Sequence, residues 1–321
     1  MTFRSERPLI IWRFTDGKPG HEKQTLGLAH ALLRNQPGQC FDLPAPPRAA
    51  SLWQWLRGHF PAGNGLPAPD ILLAAGHATH FAVLAARRAF GGTLGGKAVV
   101  LMKPSLPLAL FDLCVIPEHD NPPPRDNVVS IRGVLNDVQT AEAPSPDQGL
   151  MLIGGVSSHY RWDDAKVAAT VTRIAQSAPD IHWQLTTSRR TPTTFLAALP
   201  QALPGNLKLM PPDETGPGWL EQALAQAGQV WVTEDSVSML YEALTAGAGV
   251  GLLRLDDARD TRVHRGVEKL VADGWVTPFE AWHGGQPLAP LRQGFNEAER
   301  IARLLLAAQR DSRAAKHSRA A

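Results

Sequence analysis

Short apolar runs recur along the chain, and most are followed by a polar loop and then a helical pattern. Residues 8–14 (PLIIWRF) read as a first buried strand, with a helical pattern over 22–33. Further runs at 70–75, 97–102 and 111–116 predict strands, with a helix at 81–90. The second half repeats the theme with strands at 150–153, 181–186, 207–210, 229–233 and 250–253. Helical patterns cover 163–177, 218–227, 262–273 and 294–309, and another follows Asp235 and Ser236 as far as Ala246-Gly247. Thr191 and Pro192 suit the N-cap and first position of one more helix. Strands alternating with helices predict an α/β fold with parallel sheets and helices on both faces.

Between the two series, residues 132–147 contain Gly133, Asn136, Pro144 and Pro146 and little periodicity, which predicts a linker at 134–148. The expected domains are therefore 1–133 and 149–293. The helix at 294–309 is free to cross back to the first domain, and the small, basic stretch 310–321 is expected to be a disordered tail.

Composition narrows the class. With 321 residues, 44% hydrophobic and 19% charged, the chain is long enough for two cores. A formal net charge of +2 gives no footprint for nucleic acid. Cys40 and Cys114 lie far apart with no metal-ligand spacing, so free thiols in a reducing compartment are expected. The N-terminal residues lack a signal-peptide pattern and no apolar run reaches membrane-spanning length, which gives a cytoplasmic expectation.

The polar residues at the strand ends carry the candidate chemistry. After the first strand, Asp16, Gly17, Lys18, Gly20 and His21 place a carboxylate, an ammonium and an imidazole within six residues. The alternative is an ordinary turn, but turn chemistry does not require Lys18 and His21. The spacing is not GxGxxG, which disfavours a dinucleotide cofactor. His77, Lys103 and His119 with Asp120 stand at later strand ends, the edge where open parallel sheets bind ligands.

In the second half, Gly154 and Gly155 would let the backbone approach a phosphate, with hydroxyl donors from Ser157 and Ser158. Arg189 and Arg190 could neutralise a pyrophosphate. Asp235, Ser238 and Glu242 share one helical face. Ser236 and Ser238 sit in the first turn, which favours an anion, and Glu242 one turn on could accept from two ribose hydroxyls. A capped helix with a solvated glutamate would give the same local pattern. Asp256 and Asp257 are adjacent rather than spaced as a metal-binding pair, so no metal is expected. SLWQWLRGHF at 51–60 sets Trp53, Trp55, Leu56 and Phe60 beside Arg57 and His59. A membrane-interface helix and a helix packed on its own domain explain it equally well.

TDGKPGHEKQTLGL at 15–28, VIPEHD at 115–120, LIGGVSSHYRW at 152–162, TSRRTP at 187–192 and VTEDSVSMLYEA at 232–243 resemble the family named for the plant mitochondrial fission (elongated-mitochondria) protein and its bacterial relatives. The two α/β halves are similar to the paired, facing Rossmann-like domains of GT-B glycosyltransferases. A more distant resemblance is to the transferase that adds GlcNAc to the lipid-linked peptidoglycan precursor. Gly17, Gly20 and His21 are similar to its first loop, Gly154, Gly155 and Ser157 to its second, and Ser236, Ser238 and Glu242 to its donor helix.

These resemblances imply a metal-independent glycosyltransferase with a nucleotide-sugar as substrate and no cofactor. Asp16 or His21 would be the base in an N-terminal acceptor domain, with Lys18, Gly20, His77, Lys103 and His119 on the acceptor side. The acceptor is unknown, with a lipid-linked or cell-envelope glycan in view and a peripheral contact with the inner membrane allowed. A GT-B-fold sugar-nucleotide 2-epimerase and a non-catalytic membrane-associated adaptor remain as alternatives.

Overall fold

The computed structural model of the protein describes residues 7–91, 96–290 and 294–320. It divides into two units. One holds the residues up to Asp137 and those from Glu297 onward, the other Val138–Asn296.

The first unit runs β1 (Leu9–Thr15), α1 (Pro19–Asn35), β2 (Gly38–Pro44), α2 (Arg48–Arg57), β3 (Ile71–Ala75), α3 (His80–Phe90), β4 (Lys97–Leu101), β5 (Leu113–Pro117) and β6 (Val128–Ile131). Its six strands are parallel in the order β2-β1-β3-β4-β5-β6. Alternation along β1 supplies both faces of the sheet. Leu9 and Ile11 pack with Leu28 and Leu32 of α1, while Trp12 and Phe14 pack with Phe60 and with Val83 of α3. Each such side chain contributes about 1.5–3 kcal/mol on full burial. Arg13 breaks the apolar run of β1. Its buried guanidinium is held by Asp42, its partner in register on β2, at 2.7 Å from Nε.

The second unit runs β7 (Ser145–Ile153), α4 (Asp164–Ser177), β8 (His182–Thr187), α5 (Thr193–Ala198), β9 (Leu207–Leu209), α6 (Trp219–Gln226), β10 (Ala227–Thr233), α7 (Val237–Ala246), β11 (Gly249–Leu253), α8 (Arg262–Ala272) and β12 (Thr277–Pro278). The parallel order is β12-β11-β10-β7-β8-β9. Met151, Ile153, Trp183 and Trp231 pack with Val171 and Ile174 of α4 on one face. α6 and α7 pack against strands of the same sheet. The last helix, α9 (Glu297–Ala320), packs on α1, and its Ile301, Ala302 and Leu305 complete the core of the first unit.

Three details differ from the reading of the sequence. β7 begins at Ser145, inside the expected linker, and the rest of that stretch is held in place. Leu135 is buried in the first unit and the Asn136 backbone packs on Gly27, while Ala141 donates to the Ala246 carbonyl in the second. The stretch from 310 is helical to Ala320 rather than a disordered tail, and Ala321 lies outside the described residues. The N-cap of α5 is Pro192, not Thr191. Thr191 Oγ1 instead donates to the carbonyls of Ile153, at 3.2 Å, and Gly154, tying the β8 loop to the end of β7. Cys40 and Cys114 are free, and burial raises both thiols to about 11.

Candidate functional site

Strand order places two sites. In each sheet the chain runs outward to one side, then returns to the other side of the unit's first strand. Loops at the carboxyl ends diverge at that switch point and leave a crevice, the usual ligand position in open α/β sheets. In the first unit the switch lies between β1 and β3, in the second between β7 and β10.

Asp16 follows β1 and His21 sits in the first turn of α1. Asp16 Oδ2 lies 2.8 Å from His21 Nδ1, and Asp16 Oδ1 accepts from the Lys18 backbone N–H at 3.2 Å. The Asp16 side chain is 3% exposed and that of His21 18%, so the pair is fixed yet reachable. With the carboxylate accepting at Nδ1, the hydrogen of a neutral imidazole belongs there and Nε2 keeps its lone pair, the arrangement of an oriented general base.

Gly76, at the end of β3, closes over this pair. Its φ is +82°, and a Cβ there would fall 2.4 Å from the imidazole and 3.1 Å from Asp16 Oδ2. Gly20, by contrast, has open space where its side chain would be, so the loop's special backbone need falls on Gly17, at φ +75°. Lys18 is the exposed N-cap of α1, and His77 is exposed after β3. Lys103, after β4, donates to the Asp120 carbonyl at 3.3 Å, in the short turn after β5 that also holds His119. The residues expected on the acceptor side therefore share one sheet edge, and Asp16 joins His21 and the Lys18 backbone there, beneath Gly76.

His80 differs from these histidines. It is 2% exposed, and burial, then His77 and Arg48, lowers its pKa to about 4. It is a neutral packing group 3.5 Å from Ser105 Oγ.

The second unit carries a cavity of about 760 Å³ at the carboxyl edge of its sheet. Three loops line it: Val156–His159 after β7, Thr187–Arg190 after β8, and Asp235–Met239 at the start of α7, with Pro212 and Val263 at its margins. Of the expected residues, Ser157, Ser158, Arg189, Arg190, Asp235, Ser236 and Ser238 all line it. Arg190 is the hub. Its guanidinium pairs with Asp235 Oδ2 at 2.9 Å and donates to Ser236 Oγ at 3.2 Å and to the Val156 carbonyl at 3.3 Å. The Asp235 side chain is fully buried and also accepts from the Gly155 N–H at 3.0 Å. Ser236 is the N-cap of α7 but makes no capping bond with its side chain, so its hydroxyl is engaged sideways with Arg190.

Three expected positions lie outside the lining. A Cβ on Gly154 would fall 2.4 Å from Asp235 and Ser236 side-chain oxygens, and one on Gly155 2.1 Å from the Arg190 carbonyl. The two glycines thus allow the loops to pack on one another. Glu242 is 2% exposed on α7, flanked by the buried Tyr241 and Ala243.

His159, Met239 and Val263 join the cavity without having been singled out from the sequence. His159 ends the GGVSSH loop, where its strand-end position was the available signal, and its Nδ1 is buried without a hydrogen-bond partner.

Behind the cavity, Glu234 is 1% exposed, and burial raises its carboxyl to about 7. Glu234, His264 and Glu268 bring possible ligand atoms within 4.8 Å of one another. Arg254 pairs with both carboxylates, with Nη1 3.6 Å from Glu234 Oε2, and so supplies the positive charge of this cluster. Asp256 and Asp257, weighed above for a metal, form ion pairs with Arg161, and Asp256 also with Lys166.

Residues 19–308 match the family described as mitochondrial fission ELM1. The chain belongs to that family. A search among curated proteins finds no match by sequence. Solved structures resemble this ELM1-family chain at low identity. A Listeria monocytogenes protein, provisionally assigned as a UDP-N-acetylglucosamine 2-epimerase, has a TM-score of 0.51 at 14% identity over 94% of this chain and 88% of its own. UDP-GlcNAc 2-epimerase from Neisseria meningitidis, solved with UDP-GlcNAc, has a TM-score of 0.42 at 12% identity, covering 95% of this chain and 92% of its own. The glycosyltransferase SnogD from Streptomyces nogalater has 0.45 at 14% identity, over 95% of each chain. With two six-stranded parallel sheets and helices on both faces, this ELM1-family chain has the GT-B fold.

Proposed function

We propose that this ELM1-family chain is a glycosyltransferase that takes a nucleotide-sugar at the cavity of the second unit and an acceptor hydroxyl at Asp16 and His21. The observation that carries the reading is the cavity itself, where Ser157, Ser158, Ser238, two arginines and the start of a helix converge at the β7/β10 switch point. Hydroxyls, guanidinium groups and free helix N–H groups are the chemistry that binds a diphosphate.

In the proposed reaction His21 Nε2 takes the proton of the acceptor hydroxyl as its oxygen attacks the anomeric carbon. The bond from that carbon to the diphosphate oxygen breaks, and the nucleoside diphosphate leaves with the electron pair. A positioned base contributes roughly 10²–10⁴-fold. Arg189, Arg190 and the N-terminus of α7 offset the charge on the leaving group, so the reaction as written uses no cofactor and no metal. The proposed acceptor is a lipid-linked or cell-envelope glycan, met by a protein lying peripherally at the inner face of the membrane.

The test is a thermal-shift screen with UDP, GDP, ADP, TDP and CMP and their sugar conjugates, on the wild type and on Ser238→Ala. A ligand at 100 times its Kd stabilises the native state by about 2.7 kcal/mol. A shift with one nucleotide, weakened by Ser238→Ala, supports the donor site. An NMR time course of that donor without acceptor then separates the classes: a 2-epimerase converts the sugar, whereas a transferase leaves it intact. No shift with any nucleotide would favour a non-catalytic adaptor.

A further inference from the structure

Helix α2 has an outward face that the fold does not use. Ala49, Trp53 and Leu56 recur at helical spacing on its exposed side, with Trp53 and Leu56 each 56% exposed. Among exposed large apolar side chains they exceed Leu196 at 42% and Leu304 at 37%, and Val156 belongs to the cavity. The helix is firmly mounted. Ser51 is buried with its hydroxyl donating to the Pro46 carbonyl at 2.9 Å, and the Trp55 ring lies 5.7 Å from Phe81 of α3. Gly58 caps its end in the left-handed conformation, and Arg88 of α3 donates to the Trp55 carbonyl at 3.3 Å. Trp53 and Leu56 are thus held outward by a helix whose other side is already packed.

The stretch of sequence that contains α2 is predominantly basic. From Leu43 to Phe111 the only acidic residue is Asp70, against Arg48, Arg57, Arg87, Arg88, Lys97 and Lys103. Asp70 is buried and paired with Arg7, so it presents no charge to solvent. Arg87 is neutralised by Asp112 at 2.7 Å. Arg48, Arg57 and Arg88 remain along α2 and are all exposed. The Arg57 guanidinium lies over the Trp53 ring at 4.3 Å, which holds an amphipathic aromatic and a cation together as one unit. The whole chain carries only +2, so the excess is local to this stretch.

We propose that the outer face of α2 is a docking surface for an anionic lipid bilayer, with Trp53 and Leu56 entering the headgroup region and Arg48, Arg57 and Arg88 meeting lipid phosphates. One tryptophan and one leucine cover far less than the roughly 800 Å² per partner of a stable protein interface. An anionic membrane adds an electrostatic attraction that this arginine-rich face is built to use. The placement also suits a lipid-borne acceptor. Arg48 lies 5.5 Å over the ring of Phe81, next to His80, so α2 begins beside the loop that carries His77 at the end of β3. The inference rests on the peripheral-membrane part of the proposed function and is independent of its chemistry.

The experiment is co-sedimentation of the full chain with vesicles of phosphatidylcholine alone and of phosphatidylcholine with phosphatidylglycerol. The wild type is expected in the pellet with the anionic vesicles only, and released by salt. Arg57→Gln is expected to lower partitioning about fivefold, the equivalent of about 1 kcal/mol per basic residue at an anionic surface. Trp53→Ser with Leu56→Ser is expected to lower it further, and Trp53→Phe to restore part of it. Thermal midpoints monitored in parallel should stay at the wild-type value because these side chains face solvent. Equal sedimentation of the double variant and the wild type would overturn the proposal. So would failure of the wild type to prefer anionic vesicles, which would leave a protein partner as the occupant. Nucleotide thermal shifts are read separately, so loss of the donor-site reading would not be mistaken for loss of this one.

Discussion

Gly76 and His21 meet at the switch point of the first sheet, where the glycine backbone lies against the imidazole and a Cβ would fall 2.4 Å from it. The contact joins the end of β3 to the first turn of α1 and leaves the imidazole one position, on Asp16. Gly76→Ala combines a strained φ of +82° with a clash, so about 1–3 kcal/mol of stability should be lost. On the proposed function, transfer activity should fall by more than that loss explains, about 10²-fold, because the proposed base is displaced. Thermal melts and initial rates on the same preparation separate the two effects. A Gly76→Ala variant with full activity would show that His21 placement is unimportant.

Asp16→Asn makes a narrower change. The amide keeps the size of the side chain but replaces an acceptor-only group with one that can donate, so the imidazole is released from the Nδ1–H tautomer. The measurement is the pair of imidazole nitrogen chemical shifts of His21. The wild type should show the hydrogen on Nδ1, and the variant a mixture or the reverse. An unchanged tautomer would mean that Asp16 does not orient the ring.

The pair Arg190 and Asp235 ties the β8 loop to the start of α7. Asp235 is fully buried, and removing Arg190 leaves its carboxylate with the Gly155 N–H but without a counter-charge. Arg190→Ala should therefore cost about 1–3 kcal/mol, toward the lower side because the arginine is itself partly exposed. It should also weaken nucleotide binding. Arg190→Ala paired with Asp235→Asn should recover much of the stability and none of the affinity, since the stranded charge is gone but the proposed phosphate partner is still missing. Chemical denaturation and calorimetric titration of the double-mutant cycle would test this.

Gly155→Ala is expected to be as damaging as the loss of Arg190. Its Cβ would lie 2.1 Å from the Arg190 carbonyl, a backbone atom that cannot swing away. The β7 and β8 loops must separate, which opens the cavity and displaces both arginines. Gly20→Ala is the matched control, since nothing lies within 4 Å of its Cβ position. Equal melting temperatures for the two variants would contradict the packing argument.

What the sequence made legible follows from burial. β1, β3, β4, β5, β7, β8, β10 and β11 sit inside their sheets, and most read as continuous apolar runs. β2, β6 and β12 are edge strands with half-exposed residues such as Gly38, Val128 and Thr277, so no run marks them, whereas the fourth edge strand, β9, is marked by Leu207 and Leu209. Asp16 and His21 were readable because one short loop carries both. Gly76 was not, because its contact depends on β3 lying beside β1, an adjacency that no local pattern encodes. Gly154 and Gly155 show a different limit. A glycine that admits a phosphate and a glycine that admits a neighbouring loop look identical in sequence, and here the neighbouring atoms belong to Asp235, Ser236 and Arg190. Glu242, placed by helical spacing on the face of Ser238, is buried because α7 is enclosed on every side from Leu240 to Ala246.

Two buried groups should give the two units opposite responses to pH. Glu234 in the second unit is raised by burial to about 7, above its ordinary 4.5. Its native state holds the proton more tightly than the unfolded chain does. The stability it contributes is full below about pH 4.5 and is lost as pH rises through 7. His80 in the first unit is lowered by burial from 6.5 to about 4, so its contribution is present above pH 6.5 and is lost as pH falls through 4. Between pH 4.5 and 6.5 the first unit should therefore gain stability as the second loses it. Glu234 faces Arg254, Glu268, His264 and Tyr160, and Glu234→Gln keeps an acceptor for the Leu255 N–H while removing the titration. Scanning calorimetry across this range should show two transitions moving in opposite directions in the wild type. In Glu234→Gln the downward drift of one should be abolished, and in His80→Phe the upward drift of the other. Two transitions that move together in the wild type would show that the units unfold as one, or that these groups titrate normally.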